Sequence, residues 1–209
     1  MVAISAQKQI SKNCVQLTLS TGSVFFIRTT YLSSITEADL IVGSEITDLQ
    51  LEEIVEAGFV FAAERAALDY LNRSEQCRYL LTAKLCKKGI DIVHINIALD
   101  FLEEKKILSD LRFAEAWLRN RVINHAEGRT KLYSELLTRG IKKEIANIAL
   151  DNFYEFADEE KIFEKALNKC KRLGKDVVAT EKYLIQKGFS RALIKSNSKR
   201  QTNTPYENK

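Results

Sequence analysis

Hydrophobic positions follow two regimes along the chain. Near the start they alternate: Val15, Leu17 and Leu19 are separated by Gln16 and Thr18 and followed by Ser20, the period of a half-buried strand. Ser20-Thr21-Gly22-Ser23 has the composition of a turn, and Val24-Phe25-Phe26-Ile27 that of a returning strand. An isolated hairpin is marginal in water, so this one is expected to pack on a neighbour. Residues 1–46 read as a small hairpin-bearing module.

From residue 47 onward the spacing is helical. Thr47 and Gln50 stand at capping-box spacing, and Ile54, Phe61, Leu68 and Leu71 follow, in one long helix or two with a break near Gly58. Ser74 is expected to cap a helix carrying Cys77, Leu81 and Leu85 that stops at Gly89. Asp91 caps the next, with Ile92, Ile95, Leu99 and Leu102 as its stripe. Asp110 is expected to open another, burying Phe113, Trp117 and Leu118. After a break at Gly128, Leu136 and Leu137 lead to Gly140, and Ile141, Ile145, Ile148, Ala149 and Phe153 mark the helix that follows. Asp158 caps a helix with Ile162, Ala166, Leu167, Cys170 and Leu173. Val177, Val178, Tyr183 and Leu184 then run to Gly188, and Ala192-Leu193-Ile194 begins a last short piece.

These helices recur in sets. Lys88-Gly89-Ile90 with Ile97-Ala98-Leu99-Asp100 returns 51 residues later as Arg139-Gly140-Ile141 with Ile148-Ala149-Leu150-Asp151. Lys187-Gly188-Phe189 is a third, looser copy 48 residues further on. A fixed period of this length marks a helical-repeat protein, because one unit cannot bury its apolar face without neighbours. The glycines sit just past helix ends, where the chain needs a left-handed residue to stop. The expected fold is mainly α: three tandem three-helix repeats in an elongated curved array, preceded by the β-hairpin module. Expected boundaries are 1–46 for that module, 47–107 for a linking helix and first repeat, 108–156 for the second repeat and 157–195 for the third. Residues 196–209 are polar and unpatterned, and read as a disordered tail.

Composition narrows the function. The chain has 209 residues with 45% hydrophobic content, enough for a core, and its one proline lies in the tail. No apolar run reaches the length of a membrane span, and the N-terminus lacks a secretion signal. Cys14, Cys77, Cys86 and Cys170 show no ligand-like spacing, so a reduced, cytoplasmic setting is expected. Residues 1–60 hold three basic and seven acidic side chains, so the net +4 of the chain conceals a basic remainder.

Catalytic material is sparse. His94 and His125 are the only histidines, and no phosphate-cradling loop, nucleophile elbow or HExxH pair is present. His94 reads as a packing residue and His125 as a solvated one. Glu103, Glu104, Asp158, Glu159 and Glu160 lie at helix ends, where capping and solubility explain them. No enzyme activity, metal or cofactor is expected, although the carboxylates leave an unrecognised enzyme as a remote alternative.

What remains is a basic surface. Arg112, Arg119, Arg121, Arg129, Lys131 and Arg139 cluster in the second repeat, and Lys87, Lys88 and Lys187 mark corresponding helix ends in the outer repeats. Such positions suit a polyanion or an acidic protein groove. They equally suit plain C-terminal helix charges opposing the dipole, and residue chemistry alone leaves the two readings level.

These residues also resemble the RecX family of RecA regulators. The resemblance rests on Asp110, Phe113-Ala114, Trp117, Arg119 and Arg121, Gly128, Glu135-Leu136 and Arg139-Gly140-Ile141. The preceding unit matches with Ala67-Leu68, Tyr70-Leu71, Ser74, Lys84-Leu85 and Lys88-Gly89-Ile90, and the last with Lys187-Gly188-Phe189-Ser190. The family usually has a glycine a few residues before that aspartate, and here Lys105-Lys106-Ile107-Leu108 stands instead. The resemblance implies a non-enzymatic regulator that binds RecA nucleoprotein filaments and inhibits RecA ATPase, strand exchange and filament growth in DNA repair, recombination and the SOS response. Nothing in the sequence demands a dimer, and a monomer is expected. DNA would be met weakly or through RecA, and no membrane is involved. A stand-alone helical-repeat DNA-binding protein is the alternative, followed by a scaffold for another protein. Reversing Arg119, Arg121 and Arg129 to Glu is expected to abolish inhibition while leaving the helical fold intact.

Overall fold

A computed structural model describes residues 2–202, with side chains through residue 197 apart from that of residue 37. Helices dominate, and the chain divides into two compact units between Leu108 and Ser109.

In the first unit the hairpin is part of a larger sheet. Strands β1 (Val2–Ser11), β2 (Cys14–Leu19), β3 (Val24–Arg28) and β4 (Glu45–Ile46) form a four-stranded antiparallel sheet in the order β3-β2-β1-β4. β1 has no apolar alternation to betray it: Ile4 is its one fully buried side chain, and residues 5–11 are exposed. β2 buries Val15, Leu17 and Leu19 as their spacing requires, against Ile27, Ile54 and Ala57.

Helix α1 (Asp48–Leu71) runs unbroken through Gly58 and begins with the expected capping box, in which Thr47 Oγ1 accepts from the Gln50 backbone amide. It packs on the sheet with Ile54 and Ala57 and on the first repeat with Ala63 and Ala67. One buried cluster ties strand to helix. Glu64, only 1% exposed, accepts two hydrogen bonds from Arg28 and one from Tyr31 Oη at 2.7 Å. The Arg28 guanidinium also lies 4.6 Å from the Phe101 ring centroid. Burial and the Glu64 carboxylate together push the Tyr31 hydroxyl well above its ordinary pKa.

Helices α2 (Arg78–Cys86) and α3 (Ile92–Glu104) complete the first repeat around Leu81, Leu85, Ile95, Leu99 and Leu102. Asp91 caps α3, accepting from the Val93 amide at 2.7 Å. Ser74 does not cap α2. That helix starts four residues later after Cys77, while Ser74 Oγ accepts from the Gln76 side chain at 2.8 Å. Ile92 is exposed at the first turn of α3, so the stripe begins at Ile95.

The second unit holds α4 (Asp110–Asn124), α5 (Arg129–Thr138), α6 (Lys143–Phe156), α7 (Glu159–Arg172), α8 (Val177–Gln186) and α9 (Arg191–Thr202). The cap of α4 is Ser109, whose Oγ accepts from the Arg112 amide, and Asp110 is the first helical residue. Its core face is Ala114 and Leu118, with Phe113 and Trp117 half-buried. Leu132, Leu136, Ala146, Ala149 and Leu150 complete the buried set of the second repeat. In the third, Ile162, Phe163, Ala166, Leu184, Phe189 and Ile194 form one cluster with Phe153 and Tyr154 of α6.

Two glycines join these repeats within the unit. The Gly128 amide donates to Lys187 O at 2.8 Å, and the Thr130 amide to Gly188 O at 3.3 Å. The open end of α8 thereby supplies acceptors to the first turn of α5, whose amides have none within their own helix. A Cβ on either glycine would intrude on the other strand of backbone, and Gly188 has φ +84°. Residues 196–202 of the expected disordered tail are helical instead, because α9 continues to Thr202. Lysine, arginine and glutamine propagate a helix well without an apolar face. The remainder of that expected tail, 203–209, lies outside the described residues.

Candidate functional site

The basic cluster of the second repeat is an alternating chain of charges. α4 ends and α5 begins around Glu127, which is 2% exposed. Arg121 of α4 grips it with two hydrogen bonds, 2.8 and 3.2 Å, and Lys187 at the end of α8 approaches it at 3.4 Å. Burial pushes the Glu127 carboxyl up, but the Arg121 hydrogen bond and the charges of Arg121 and Lys187 outweigh it and hold the pKa below the ordinary glutamate value. The guanidinium groups of Arg121 and Arg139 both lie against the Trp117 ring, at 5.7 and 4.5 Å from its centroid. Arg139 in turn meets Glu135 at 2.8 Å, and Lys131 meets the same carboxylate at 3.0 Å. Hydrogen bonds from Lys131 and Arg139 lower the Glu135 pKa.

Most of the nine basic positions singled out from sequence are thus engaged within the chain. Arg121, Lys131, Arg139 and Lys187 belong to this network. Arg129 pairs instead with Asp151 at 2.6 Å and faces the Tyr154 ring. That ion pair is a repeat feature, since Arg78 and Asp100, each 51 residues earlier, meet at 2.7 Å. Arg112 is half-buried on α4. Lys88 and Lys87 follow α2 in the first unit, Lys88 with its ammonium 5.0 Å from the Tyr70 ring centroid. Lys87 and Arg119 are exposed, and among the described residues neither side chain forms an ion pair.

Arg119 also borders a groove of about 450 Å3 between α4 and α6. Val122, Phe153 and Phe156 give it apolar walls, with Phe156 90% exposed, and Glu115 is held there by Asn152 at 2.8 Å. Composition gave no hint of this groove. Glu127 escaped notice for a different reason: its partners lie six and sixty residues away, and no local motif announces it. Reversing Arg121 would set a second carboxylate against buried Glu127, so that residue is unsuited to a charge-reversal test that must spare the fold.

His94 is half-buried, its Nε2 2.7 Å from Glu56 and its ring against Phe59, whereas His125 is exposed after α4. Among the described residues no three His, Cys, Asp or Glu side chains are grouped to hold a metal, and no helix is long and apolar enough to cross a membrane.

Tandem three-helix units define a helical-repeat protein, here with cations set against aromatic rings. Comparison with known proteins narrows the class. A family model described as RecX, second three-helix domain, matches residues 109–150. Regulatory protein RecX of Treponema pallidum (strain Nichols) is 33% identical over 154 residues, spanning 74% of this chain and 94% of the relative. Regulatory protein RecX of Bacillus licheniformis is 32% identical over 211 residues, spanning 98% of this chain and 77% of the relative. A crystal structure of regulatory protein RecX shares the fold with a TM-score of 0.75 at 20% identity, covering 95% of this chain and all of that one. The crystal structure of RecX from Lactobacillus salivarius has a TM-score of 0.58 at 21% identity, over 70% of this chain and 98% of its own. The chain belongs to the RecX family of regulatory proteins.

Proposed function

We propose that this chain is a non-enzymatic regulator of RecA recombinase that acts in the cytoplasm as a monomer. In this reading it binds RecA nucleoprotein filaments and lowers RecA ATPase, strand exchange and filament growth, and so tempers recombination, DNA repair and the SOS response. The observation that carries the reading is kinship with regulatory proteins named RecX along 98% of the chain. The contact residues proposed are the exposed Lys87 and Arg119 first, with Lys88 and Arg112 beside them. Arg121, Arg129, Lys131, Arg139 and Lys187 contribute through the field of a network whose four cations exceed its two carboxylates, plus the Arg129 pair.

The test is RecA's DNA-dependent ATPase on single-stranded DNA with the chain titrated in. Loss of ATPase well below one copy per RecA supports filament binding, and no effect at equal amounts refutes it. Lys87→Glu with Arg119→Glu is expected to weaken inhibition at least about tenfold with an unchanged circular dichroism spectrum.

One observation favours a second reading, in which the chain binds DNA without RecA. Residues 1–108 carry a net −3 and residues 109–209 a net +7, so the positive charge is concentrated in the second unit. Direct DNA binding would require no RecA and would fall steeply with salt as counterions are released.

A further inference from the structure

Within the second unit the junction between α4 and α5 is covered by the end of α8, through Gly128 and Gly188. The corresponding junction between α7 and α8 is built otherwise. There α8 is capped by Asp176, whose carboxylate accepts from the Ala179 amide at 2.7 Å. A side chain at that position excludes the backbone approach that Gly128 allows, so a further copy of the repeat cannot dock in the same way. Beside it Leu173, Val177 and Val178 are 60%, 83% and 61% exposed.

A groove of about 320 Å3 opens here between α7, α8 and α9. Its walls have helical spacing: Phe163, Leu167 and Lys171 follow one another at every fourth residue on α7, facing Val177, Glu181 and Leu184 on α8. Phe163, Leu184 and Ile194 belong to the buried cluster of the third repeat, so the floor is apolar. Lys171, Lys175 and Lys195 stand around it against a single lining carboxylate, Glu181. Among the described residues none of these three lysines forms an ion pair; Lys175 only faces the Tyr183 ring at 5.7 Å.

We propose that this groove docks an acidic amphipathic helix of a partner protein, its apolar stripe on the floor and its carboxylates on the three lysines. An apolar trough between two parallel rows of helical side chains is the receptor form that amphipathic helices use. Charge selects the occupant. The chain's own last residues bring Lys199, Arg200 and Lys209 against Glu207 and share the sign of the rim. A nucleic acid strand would find cations but no exposed ring on the floor for its bases to stack on, since Phe163 is 1% exposed.

The experiment is fluorescence anisotropy of a labelled peptide of roughly three helical turns, with leucines along one face and glutamates elsewhere, titrated with the full chain. Saturable binding is expected, absent for a scrambled peptide. Lys171→Glu with Lys195→Glu should weaken it at least about tenfold, whereas Lys165→Glu, on the opposite side of α7, should leave it within about twofold. Should the double reversal perturb the circular dichroism spectrum, Lys171→Gln with Lys195→Gln carries the same direction of change. The proposal is overturned by absence of saturable binding, as when the chain's own end fills the groove, or by equal loss in Lys165→Glu. Displacement of the peptide by a single-stranded oligonucleotide that binds more tightly, with the same lysine dependence, overturns it too.

Discussion

Glu127 shows what a buried carboxylate asks of its neighbours. Removing Arg121 strips two hydrogen bonds from a group that is 2% exposed and leaves only Lys187 at 3.4 Å. Arg121→Ala is expected to cost about 2 kcal/mol, read as a lower urea midpoint with unchanged slope. Lys106 presents the opposite opportunity. It follows the end of α3 with φ +58°, a left-handed residue with a side chain. Lys106→Gly should stabilise the chain by about 0.5–1 kcal/mol, because the strain removed exceeds the entropy that glycine adds to the unfolded chain. A lower thermal midpoint in that variant would contradict the argument.

Between elements, the sharpest prediction concerns glycines that look alike in sequence. Gly89 and Gly188 both end helices with positive φ, but a Cβ on Gly89 meets nothing within 4 Å and one on Gly188 runs into Lys131 of α5. Gly89→Ala should therefore cost about 1 kcal/mol, the price of the left-handed backbone alone. Gly188→Ala should cost roughly 2 kcal/mol or more, since overpacking is added. Equal losses in urea unfolding would refute the contact. This difference marks the border of what the sequence discloses. Helix ends, repeat period and the strand pair of β2 and β3 were legible because each obeys a local rule of capping or alternation. β1 was not, since one buried residue makes no pattern, and Ser74 and Asp110 look like caps while Cys77 and Ser109 hold those places. Part of the helix packing is made by Ala57, Ala63, Ala67 and Ala114, whose small side chains carry only a weak hydrophobic signal. The basic cluster was visible as composition, whereas Glu127, which binds Arg121 and Lys187, gains meaning only in three dimensions.

For the molecule as a whole, acid is the informative variable. Hydrogen bonds from Ser34 and Ser33 overcome the effect of burial on Glu53 in the first unit and lower its pKa from 4.5 to about 2. Glu127 and Glu135 are lowered in the second. Each titrates lower when folded than when unfolded, so its stabilisation is complete above the ordinary carboxylate range and is lost as pH falls through the folded value. The thermal midpoint should stay level on this account from neutrality to about pH 5 and fall between there and pH 2. Glu53→Gln should shrink that fall, and a midpoint that rises with acid would show the sign to be wrong.

The bonds from α5 to the end of α8 have one more consequence. Amides in the first turn of a helix ordinarily exchange with deuterium quickly, for want of an acceptor. Those of Gly128 and Thr130 borrow theirs from Lys187 and Gly188. Their protection is a two-amide gauge of whether the third repeat is seated on the second. Anything that pries α8 away would appear in an exchange spectrum as the early loss of these two signals, while the interiors of α5 and α8 stay protected.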